Sequence, residues 1–439
     1  MNRAFLLFVL FLNFVSYVSA QTSNPWRPLR EPGCGGWMTS VQVSPHDSRR
    51  VLVGGDMLGV GLSTDGGESW TPTFGWKSAE IGDTTFHPTD PKIVFAGTMS
   101  GVYRSRDGGE TWEECRVGFP PVARYQYSAP VEKVLFDPGQ PGQLGQSGSL
   151  GRLLAFCGSS RRWGSPGKPL WGTIWESTDL GDSWKPIANL EKNIVSAAFS
   201  PDGRTLLACV DGAGVFRSSD GGTTWENSTT GLPHGCVERV VAHAQNSNVF
   251  WVSLAACPQN SGEKCLPGGV YMSEDGGRSW VSRSNGLDLH TGDNVHFTAS
   301  FKAFCGCPAD SNVLYTSDMA WNGARIYRTS NGGESWEVVL KPNLNGVERP
   351  LKTAYPSGYG VTVLSVDPND PEVVFGAGSE FIALSRDGGK SWQDGTSVKV
   401  GDPDQPTWRG RGYSGLCSSN FVADPYRHGR AVLLAMDAG

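Results

Sequence analysis

The sequence predicts an all-β fold, a β-propeller of four-stranded blades with seven complete blades and a partial eighth. Three observations support this prediction. One short motif occurs seven times in the 439 residues, successive copies lie 41 to 72 residues apart, and the intervals contain short β-type runs. Units of this length cannot bury their apolar faces alone, so they have to stack on their neighbours, as propeller blades do.

Each copy of the motif has the character of a hairpin turn. It begins with Ser or Thr, carries Asp or Asn at its third position and ends with Trp. Asp-Gly between two β-type runs is a strong hairpin signal, because Gly adopts positive φ at no steric cost. The third positions of the seven copies are Asp65, Asp107, Asp179, Asp220, Asp275, Asn331 and Asp387.

This motif resembles the Asp box, or BNR repeat, of sialidases and related β-propellers. The third-position carboxylate can accept hydrogen bonds from backbone N–H groups within the turn. Asn331, which replaces Asp in the sixth copy, still offers an acceptor oxygen. We therefore expect these seven side chains to stabilise turns rather than to act on a substrate.

The first repeat unit shows how four strands fit into one interval. Its β-type runs are Ser40–Ser44, Arg50–Val53, Gly59–Ser63 and Trp70–Thr73. A Pro-containing turn, Ser44-Pro-His-Asp, joins the first two runs, and similar turns recur in later units. Four short strands per unit are what one propeller blade requires.

The last residues repeat the start of a blade. Asn420–Pro425 and Arg430–Gly439 match Val41–Pro45 and Arg50–Asp56. These two runs would form an eighth blade that ends before its box, leaving one strand edge unpaired. We expect a propeller over residues 21–439 that is incomplete at the C-terminus.

Residues 1–20 have the features of a secretory signal peptide. Arg3 supplies the positive charge, Phe5–Val18 form the apolar run, and Val18-Ser19-Ala20 fit a cleavage site. No second long apolar stretch follows, so we expect no membrane span and a secreted, extracellular protein, periplasmic or surface-bound in a bacterium. The 37 Lys and Arg residues against 43 Asp and Glu give a net charge of −6, which argues against nucleic-acid binding.

Ten cysteines remain after signal-peptide removal, which suits an oxidising compartment. Cys257 and Cys265 flank one loop and are the best local candidates for a disulfide. Cys305-Gly-Cys307 lacks a second Cys or His pair at zinc-ligand spacing nearby, so disulfides or buried thiols are favoured over metal binding. We expect no metal and no cofactor.

Candidate binding residues lie on the edge of the propeller opposite the boxes. The boxes join the third and fourth strands of each blade, whereas the second-to-third-strand loops and the links between blades reach the other edge. Flat aromatic rings suit the apolar faces of sugars, and Arg suits carboxylate or sulfate groups. We expect a polysaccharide or oligosaccharide partner, contacted by Trp76, Arg124, Tyr125, Trp163, Trp171, Trp321, Arg325, Trp408 and Arg409. Packing between blades is the alternative role for each aromatic residue.

Asp56 is the leading candidate for a catalytic carboxylate. Glycoside hydrolysis needs two carboxyl groups, one protonated as acid and the other acting as base or nucleophile. Asp56 follows the apolar run Val51–Val53 at the end of a second strand, where partial burial raises a carboxyl pKa. Asp437 occupies the matching position in the unfinished blade. A role in forming the turn is the alternative for Asp56.

The first two units resemble the N-terminal part of glycoside hydrolase family 74, the xyloglucan-cleaving endoglucanases. That family consists of tandem Asp-box propellers, and its first catalytic Asp lies in an Asp-x-Gly-Gly-Ala-Tyr stretch before a Trp-x-Pro-Leu segment. The corresponding stretches here are Asp56-Met-Leu-Gly-Val-Gly61 and Trp70-Thr-Pro-Thr73, in which Asp56 and Gly59 match. The resemblance implies that Asp56 is catalytic and that the second catalytic Asp comes from a second propeller.

We therefore expect a secreted glycoside hydrolase that acts on a polysaccharide by a carboxylate acid/base mechanism. One alternative is a non-catalytic propeller that binds glycan or protein, as sortilin-type receptors and photosystem assembly factors do. A second alternative is a polysaccharide lyase, with His234 or His296 as base and Arg124 or Arg161 neutralising a uronate.

Overall fold

The computed structural model describes residues 37–56, 59–78, 80–121, 129–139, 151–159, 170–260, 263–320, 325–340, 361–378, 381–402, 405–412, 418–423, 426 and 431–435. Side chains are described for these residues except 397, 399, 402, 405–409, 418–423 and 431–435. The signal peptide predicted at residues 1–20 lies outside this part of the chain.

Seven four-stranded antiparallel sheets follow one another along the sequence, each with its strands in chain order, which confirms the predicted all-β propeller. Blade 1 contains β1 (Met38–Val43), β2 (Val51–Gly55), β3 (Val60–Ser63) and β4 (Thr71–Pro72). Blade 2 contains β5 (Ile81–Phe86), β6 (Val94–Thr98), β7 (Gly101–Ser105) and β8 (Glu113–Cys115). Blade 3 contains β9 (Val131–Phe136), β10 (Leu153–Cys157), β11 (Thr173–Ser177) and β12 (Lys185–Asn189).

The remaining blades repeat this order. Blade 4 contains β13 (Ile194–Phe199), β14 (Leu206–Val210), β15 (Gly214–Ser218) and β16 (Glu226–Asn227). Blade 5 contains β17 (Val237–Ala242), β18 (Phe250–Leu254), β19 (Gly269–Ser273) and β20 (Val281–Ser282). Blade 6 contains β21 (Phe301–Gly306), β22 (Leu314–Asp318), β23 (Ile326–Thr329) and β24 (Glu337–Leu340), preceded by a 3₁₀ turn at Val295–Phe297. Blade 7 contains β25 (Val361–Asp367), β26 (Asp370–Gly378), β27 (Phe381–Ser385) and β28 (Gln393–Asp394).

Burial changes from the centre of the ring to its outside. The second strand of blade 1, β2, is buried along its whole length, whereas the outermost strand β4 is exposed. The second strands read as continuous apolar runs because blades cover both faces of their sheet. The outermost strands meet water on one side and are correspondingly short and polar.

The core consists of seven apolar clusters, one between each pair of adjacent blades. The cluster that joins the last blade to the first packs Val41 and Trp70 against Phe375 and Leu384. The innermost strands β25 and β1 are also in contact. The ring therefore closes between blades 7 and 1.

The Trp residues that end the boxes pack between adjacent blades, and several of them also hydrogen-bond to the preceding blade. The indole Nε1 of Trp280 donates to Ser228 O at 2.8 Å, and Nε1 of Trp336 donates to Arg283 O at 2.7 Å. Trp70 makes the corresponding bond across the closure, from Nε1 to Gly395 O at 2.9 Å. The box therefore forms the turn within a blade and also holds that blade to its neighbour.

The predicted eighth blade is not confirmed. The strands β31 (Ser418–Ala423) and β32 (Ala431–Ala435) pair with each other, and so do β29 (Ser397–Asp402) and β30 (Gln405–Gly410). Both pairs are two-stranded sheets, and the ring is complete without them. The two strands predicted at the end of the chain are present, but the closure between Trp70 and blade 7 leaves no gap in the ring for an eighth blade.

A glycine allows a box Trp to approach the preceding blade. Trp184 N donates to Val117 O at 2.8 Å, and Gly118, at φ +101°, lies directly beneath the Trp184 carbonyl. A Cβ on Gly118 would come within 1.8 Å of Trp184 O. Gly412 stands in the same relation to Trp70, with a Cβ contact of 2.1 Å, so the closure repeats the contact found between other blades.

We predict that Gly118→Ala lowers the free energy of unfolding by at least about 2 kcal/mol, because the backbone of two blades has to separate. Gly212→Ala is the control, since Gly212 has φ +67° but a Cβ there would have no neighbour within 4 Å among the described residues. Its cost is expected to be about 1 kcal/mol, from backbone conformation alone. Urea unfolding measures both values, and equal losses would contradict the role of the close contact.

Candidate functional site

The two edges of the ring have different chemistry. We call the edge formed by the boxes the box face, and the edge formed by second-to-third-strand loops and blade links the loop face. The strand that precedes a residue in the sequence therefore decides on which of the two faces it lies. Those that follow a second or fourth strand lie on the loop face, and those between a third and fourth strand lie on the box face.

On the box face the third-position carboxylates are engaged inside their own turns. Asp275 Oδ1 accepts from Ser273 Oγ at 2.8 Å and from Ser279 N at 2.9 Å, while Oδ2 accepts from Ser279 Oγ at 2.6 Å. Burial opposes ionisation here, but the bonds from Ser279 and Ser273 outweigh it and lower the pKa of Asp275 to about 2. The same pattern recurs at Asp65, Asp107, Asp179, Asp220 and Asp387.

Asn331 shows how an amide replaces the carboxylate in a box. Its Oδ1 accepts from Thr329 Oγ1 at 2.7 Å and from Ser335 N at 3.1 Å. Its Nδ2 donates to Ser335 Oγ at 2.9 Å, which reverses the direction of the third bond. The hydroxyl accommodates either direction, because it can donate or accept.

We predict that Asp275→Asn reproduces the box of Asn331 and costs only about 0.5–1.5 kcal/mol near pH 7, the value of one weakened hydrogen bond. Because the folded pKa of Asp275 is lowered, its extra stabilisation is present above the unfolded pKa, near about 4, and is lost as pH falls toward about 2. The deficit should therefore shrink in urea unfolding at about pH 3. Asp275→Ala is the matched control and should remain worse at both pH values, and a pH-independent deficit for Asp275→Asn would contradict the assignment.

Asp56 lies on the loop face of blade 1, directly after β2. Its carboxylate Oδ1 accepts from Trp37 N at 3.2 Å, and its own N–H donates to Trp37 O at 3.1 Å. The side chain is half-buried. These bonds hold the carboxyl group of Asp56 beside the start of the innermost strand.

Trp76 lies close to the same loop. Gly59, at φ +70°, is packed so closely under the Trp76 indole that a Cβ would meet the ring at 2.7 Å. The Trp76 ring is half-buried and contacts Tyr103 and Trp112, with centroid distances of 5.0 and 4.8 Å. Trp76 therefore joins blades 1 and 2 and also borders the loop that follows Asp56.

The other predicted binding residues are dispersed or outside the described part of the chain. Trp171 is half-buried in the turn before β11, on the loop face of blade 3. Trp408 and Arg409 lie on β30, where the structure describes the backbone only. The remaining candidates, Arg124, Tyr125, Trp163, Trp321 and Asp437, lie outside the described residues.

Arg325 belongs to a cluster of ionisable groups on the loop face of blade 6. Arg325 Nη1 binds Asp288 Oδ2 at 2.7 Å, and His290 Nδ1 lies 3.5 Å from Asp288 Oδ1 and 3.9 Å from Asp318 Oδ2. Asp318, at the end of β22, is fully buried, and its Oδ1 accepts from Ser300 N and Ala320 N at 3.0 Å each. Its Oδ2 has no hydrogen-bond partner among the residues that the structure describes.

Asp318 was not among the residues predicted from the sequence. Its position was available in principle, because it ends a second strand as Asp56 follows one. The burial of Asp318 could not be predicted from the sequence, because it depends on how the segment before blade 6 folds over the end of β22. Burial raises the pKa of Asp318 against the opposing effect of the N–H groups of Ala320 and Ser300.

We predict that Asp318→Asn gains stability relative to the natural protein as pH rises from about 4 to about 8. A carboxyl with a raised folded pKa contributes stability below its unfolded pKa and loses it as pH rises through the folded value. Asp288→Asn is the control that should show no such trend: burial opposes ionisation of Asp288, but the Arg325 hydrogen bond and the neighbouring charges of His290 and Arg325 together outweigh it and lower its pKa, so its contribution changes only below about pH 4. Urea unfolding at both pH values tests the pair, and parallel trends for the two variants would contradict it.

The central channel carries a second set of charged side chains. A cavity of about 400 Å³ is lined by residues from all seven innermost strands, including Asp83, Lys133 and Arg239. Lys133 Nζ donates to Asp83 Oδ2, and Arg239 Nη1 lies 3.3 Å from Glu132 Oε1. The first pair joins the neighbouring blades 2 and 3, and the second joins blades 3 and 5, so these opposite charges neutralise one another and we assign them to the packing of the channel.

The predicted disulfide between Cys257 and Cys265 is not formed, and both thiols are free. Cys257 and Leu266 lie opposite each other and exchange two backbone hydrogen bonds, at 2.9 and 3.0 Å. Side chains of adjacent residues in an extended segment point to opposite sides. Cys265 is therefore turned into the buried interior, away from Cys257.

Comparison with known proteins agrees with this architecture. Residues 103–114 match the family model described as the BNR/Asp-box repeat. The chain is a seven-bladed β-propeller that carries Asp-box motifs. No helix among the described residues is long and apolar enough to span a lipid bilayer.

Two curated relatives of this Asp-box propeller are fungal enzymes. The chain is 28% identical over 212 residues to a probable oligoxyloglucan-reducing end-specific xyloglucanase of Neosartorya fischeri, a match that covers 42% of the chain and 24% of the relative. It is 25% identical over 210 residues to the oligoxyloglucan-reducing end-specific xyloglucanase of Emericella nidulans, with the same coverage. The matches thus span about a quarter of the length of these relatives.

Solved structures show the same fold. An ancestral enzyme of glycoside hydrolase family 74 superimposes with a TM-score of 0.66 at 19% identity, covering 90% of this chain and 52% of that one. The protein YCF48 bound to D1 peptide superimposes with a TM-score of 0.50 at 14% identity, covering 82% and 96%. The Asp-box propeller described here is about half the length of the family 74 enzyme.

Proposed function

We propose that this propeller is part of a secreted glycoside hydrolase that cleaves a xyloglucan-like polysaccharide, with Asp56 as one of the two catalytic carboxylates. The observation that carries the proposal is the position of Asp56. It lies on the loop face, immediately after β2, in the stretch that resembles the catalytic segment of family 74. The curated relatives, whose names are those of xyloglucanases, support the substrate class.

The arrangement around Asp56 suits a group that reacts with a sugar. The bond from Trp37 N orients the carboxyl, and partial exposure leaves it accessible from the loop face. Trp76 supplies an aromatic surface beyond Gly59, and such surfaces stack on sugar rings. One carboxyl group and one ring within a single loop region are a starting point for a sugar-binding cleft.

The partner carboxylate has to be reachable by a polymer. Asp318 has the raised pKa of a general acid but is fully buried, so it cannot touch a polysaccharide chain in this conformation. The resemblance to family 74 implies that the partner comes from a second propeller facing the loop face. Two propellers in this arrangement would form a cleft open at both ends, as an endo-acting enzyme on a long polymer requires.

We predict that Asp56→Asn lowers the rate of xyloglucan hydrolysis by the full-length secreted protein by about 10²- to 10⁴-fold, the usual contribution of an acid/base group. Release of reducing ends is the measurement. Asp65→Asn is the matched control, because Asp65 lies on the box face of the same blade and is engaged in its turn. Unchanged hydrolysis by Asp56→Asn, or equal loss in both variants, would contradict the catalytic assignment.

The alternative is a binding propeller without catalysis. The superposition on YCF48 bound to D1 peptide, which covers nearly all of that chain, favours this alternative over other non-enzymatic functions. A peptide or glycan that binds the natural protein and Asp56→Asn equally, with no release of reducing ends, would support it. The lyase alternative, with His234 or His296 as base, predicts products that absorb in the near ultraviolet.

A further inference from the structure

A group of soft ligands lies on the loop face of blade 5, away from Asp56. Cys236 immediately precedes β17, and Cys257 follows the end of β18. The two strands are paired, and the bond from Ala255 N to Cys236 O at 2.9 Å extends the pairing beyond them. This brings together residues that are 21 positions apart in the sequence.

His234 completes the group. One ring nitrogen of His234 and the sulfur atoms of Cys236 and Cys257 all lie within 4.8 Å of one another. All three residues are half-buried, so the group is screened from bulk water on one side and open on the other. No other set of His, Cys, Asp or Glu side chains in the described residues converges in this way.

The orientation of the imidazole is that of a metal ligand. His234 Nε2 lies 3.0 Å from Pro267 O, and a carbonyl can only accept, so Nε2 carries the hydrogen and Nδ1 keeps its lone pair. The backbone N–H of Cys236 donates to Nδ1 at 3.3 Å, and a metal ion bound at Nδ1 would displace this long hydrogen bond. Metal-bound histidines typically donate their second N–H to a backbone carbonyl in this manner.

The donor set selects the metal. Two thiolates and one imidazole favour Zn²⁺ and exclude Mg²⁺ and Ca²⁺, which prefer oxygen ligands. Zn–S and Zn–N bonds of about 2.3 and 2.0 Å place tetrahedral donor atoms about 3.5–3.8 Å apart. The three donor atoms lie within 4.8 Å of one another, so binding would draw them together by at most about 1 Å.

We propose that His234, Cys236 and Cys257 bind one Zn²⁺ ion, with water in the fourth position. The ion joins the start of β17 to the segment that leaves β18. It thereby anchors the loop that returns through Leu266 to β19 on the loop face. A disulfide between Cys236 and Cys257 is the competing outcome, and it would give the oriented His234 ring no role.

The test uses the full chain, purified under reducing conditions, with Zn²⁺ alone as the probe and a chromogenic chelator as competitor. We expect one equivalent of tightly held zinc. His234→Ala, Cys236→Ser and Cys257→Ser should each weaken binding by at least about 100-fold, since loss of a ligand costs more than loss of its outer-shell partner. Cys265→Ser is the matched control, because its thiol lies in the same loop but is turned into the interior, and it should bind as the natural protein does.

A spectroscopic measurement on the natural protein avoids any dependence on folding of the variants. Co²⁺ in place of Zn²⁺ should give thiolate-to-metal charge-transfer absorption and the visible bands of a tetrahedral site. Absence of stoichiometric zinc, an absorption spectrum without thiolate bands, or unchanged affinity in Cys257→Ser would each overturn the proposal. A Cys236–Cys257 disulfide that persists when zinc is present throughout expression and purification, mapped by non-reducing digestion, would also overturn it.

Discussion

The contact of each box Trp with the preceding blade is the interaction on which the rest of the structure depends. It fills the apolar cluster between two blades and donates its indole N–H to the neighbouring backbone in several of the junctions. At five of the junctions in the described part of the chain, a glycine beneath the Trp carbonyl allows the two backbones to approach, as Gly118 does at Trp184. Because Trp70 makes the same contact with blade 7, the closure uses no special device and the ring ends at seven blades.

This division of roles frees the opposite edge for function. The box carboxylates satisfy their hydrogen-bonding capacity within their own turns, so that edge holds the blades and offers little to a ligand. The loop face carries the half-buried Asp56, the cluster around Asp318 and the His234 group, each placed at the end of a second strand or in a blade link. A rigid ring can present such groups precisely without their contributing to its stability.

The fold could be predicted from the sequence because one eight-residue motif, with few substitutions, forms every turn and contributes to the blade interfaces. The positions of Asp56 and Trp76 could be predicted for the same reason. The role of Asp318 could not be predicted, because its burial depends on the irregular link between blades 5 and 6. The backbone pairing of Cys257 with Leu266 turns Cys265 away from Cys257, and this local geometry is not given by the spacing of the cysteines. The approach of Cys257 to His234 depends on the pairing of β17 with β18.

The most direct measurement is a crystal structure of the chain with a bound xylogluco-oligosaccharide. We expect sugar rings on the loop face, with a hydroxyl or glycosidic oxygen within hydrogen-bond distance of Asp56 and an aromatic contact from Trp76. A ligand found only on the box face or only in the central channel would contradict the proposed function, because the catalytic and structural edges of the ring would then have been assigned the wrong way round.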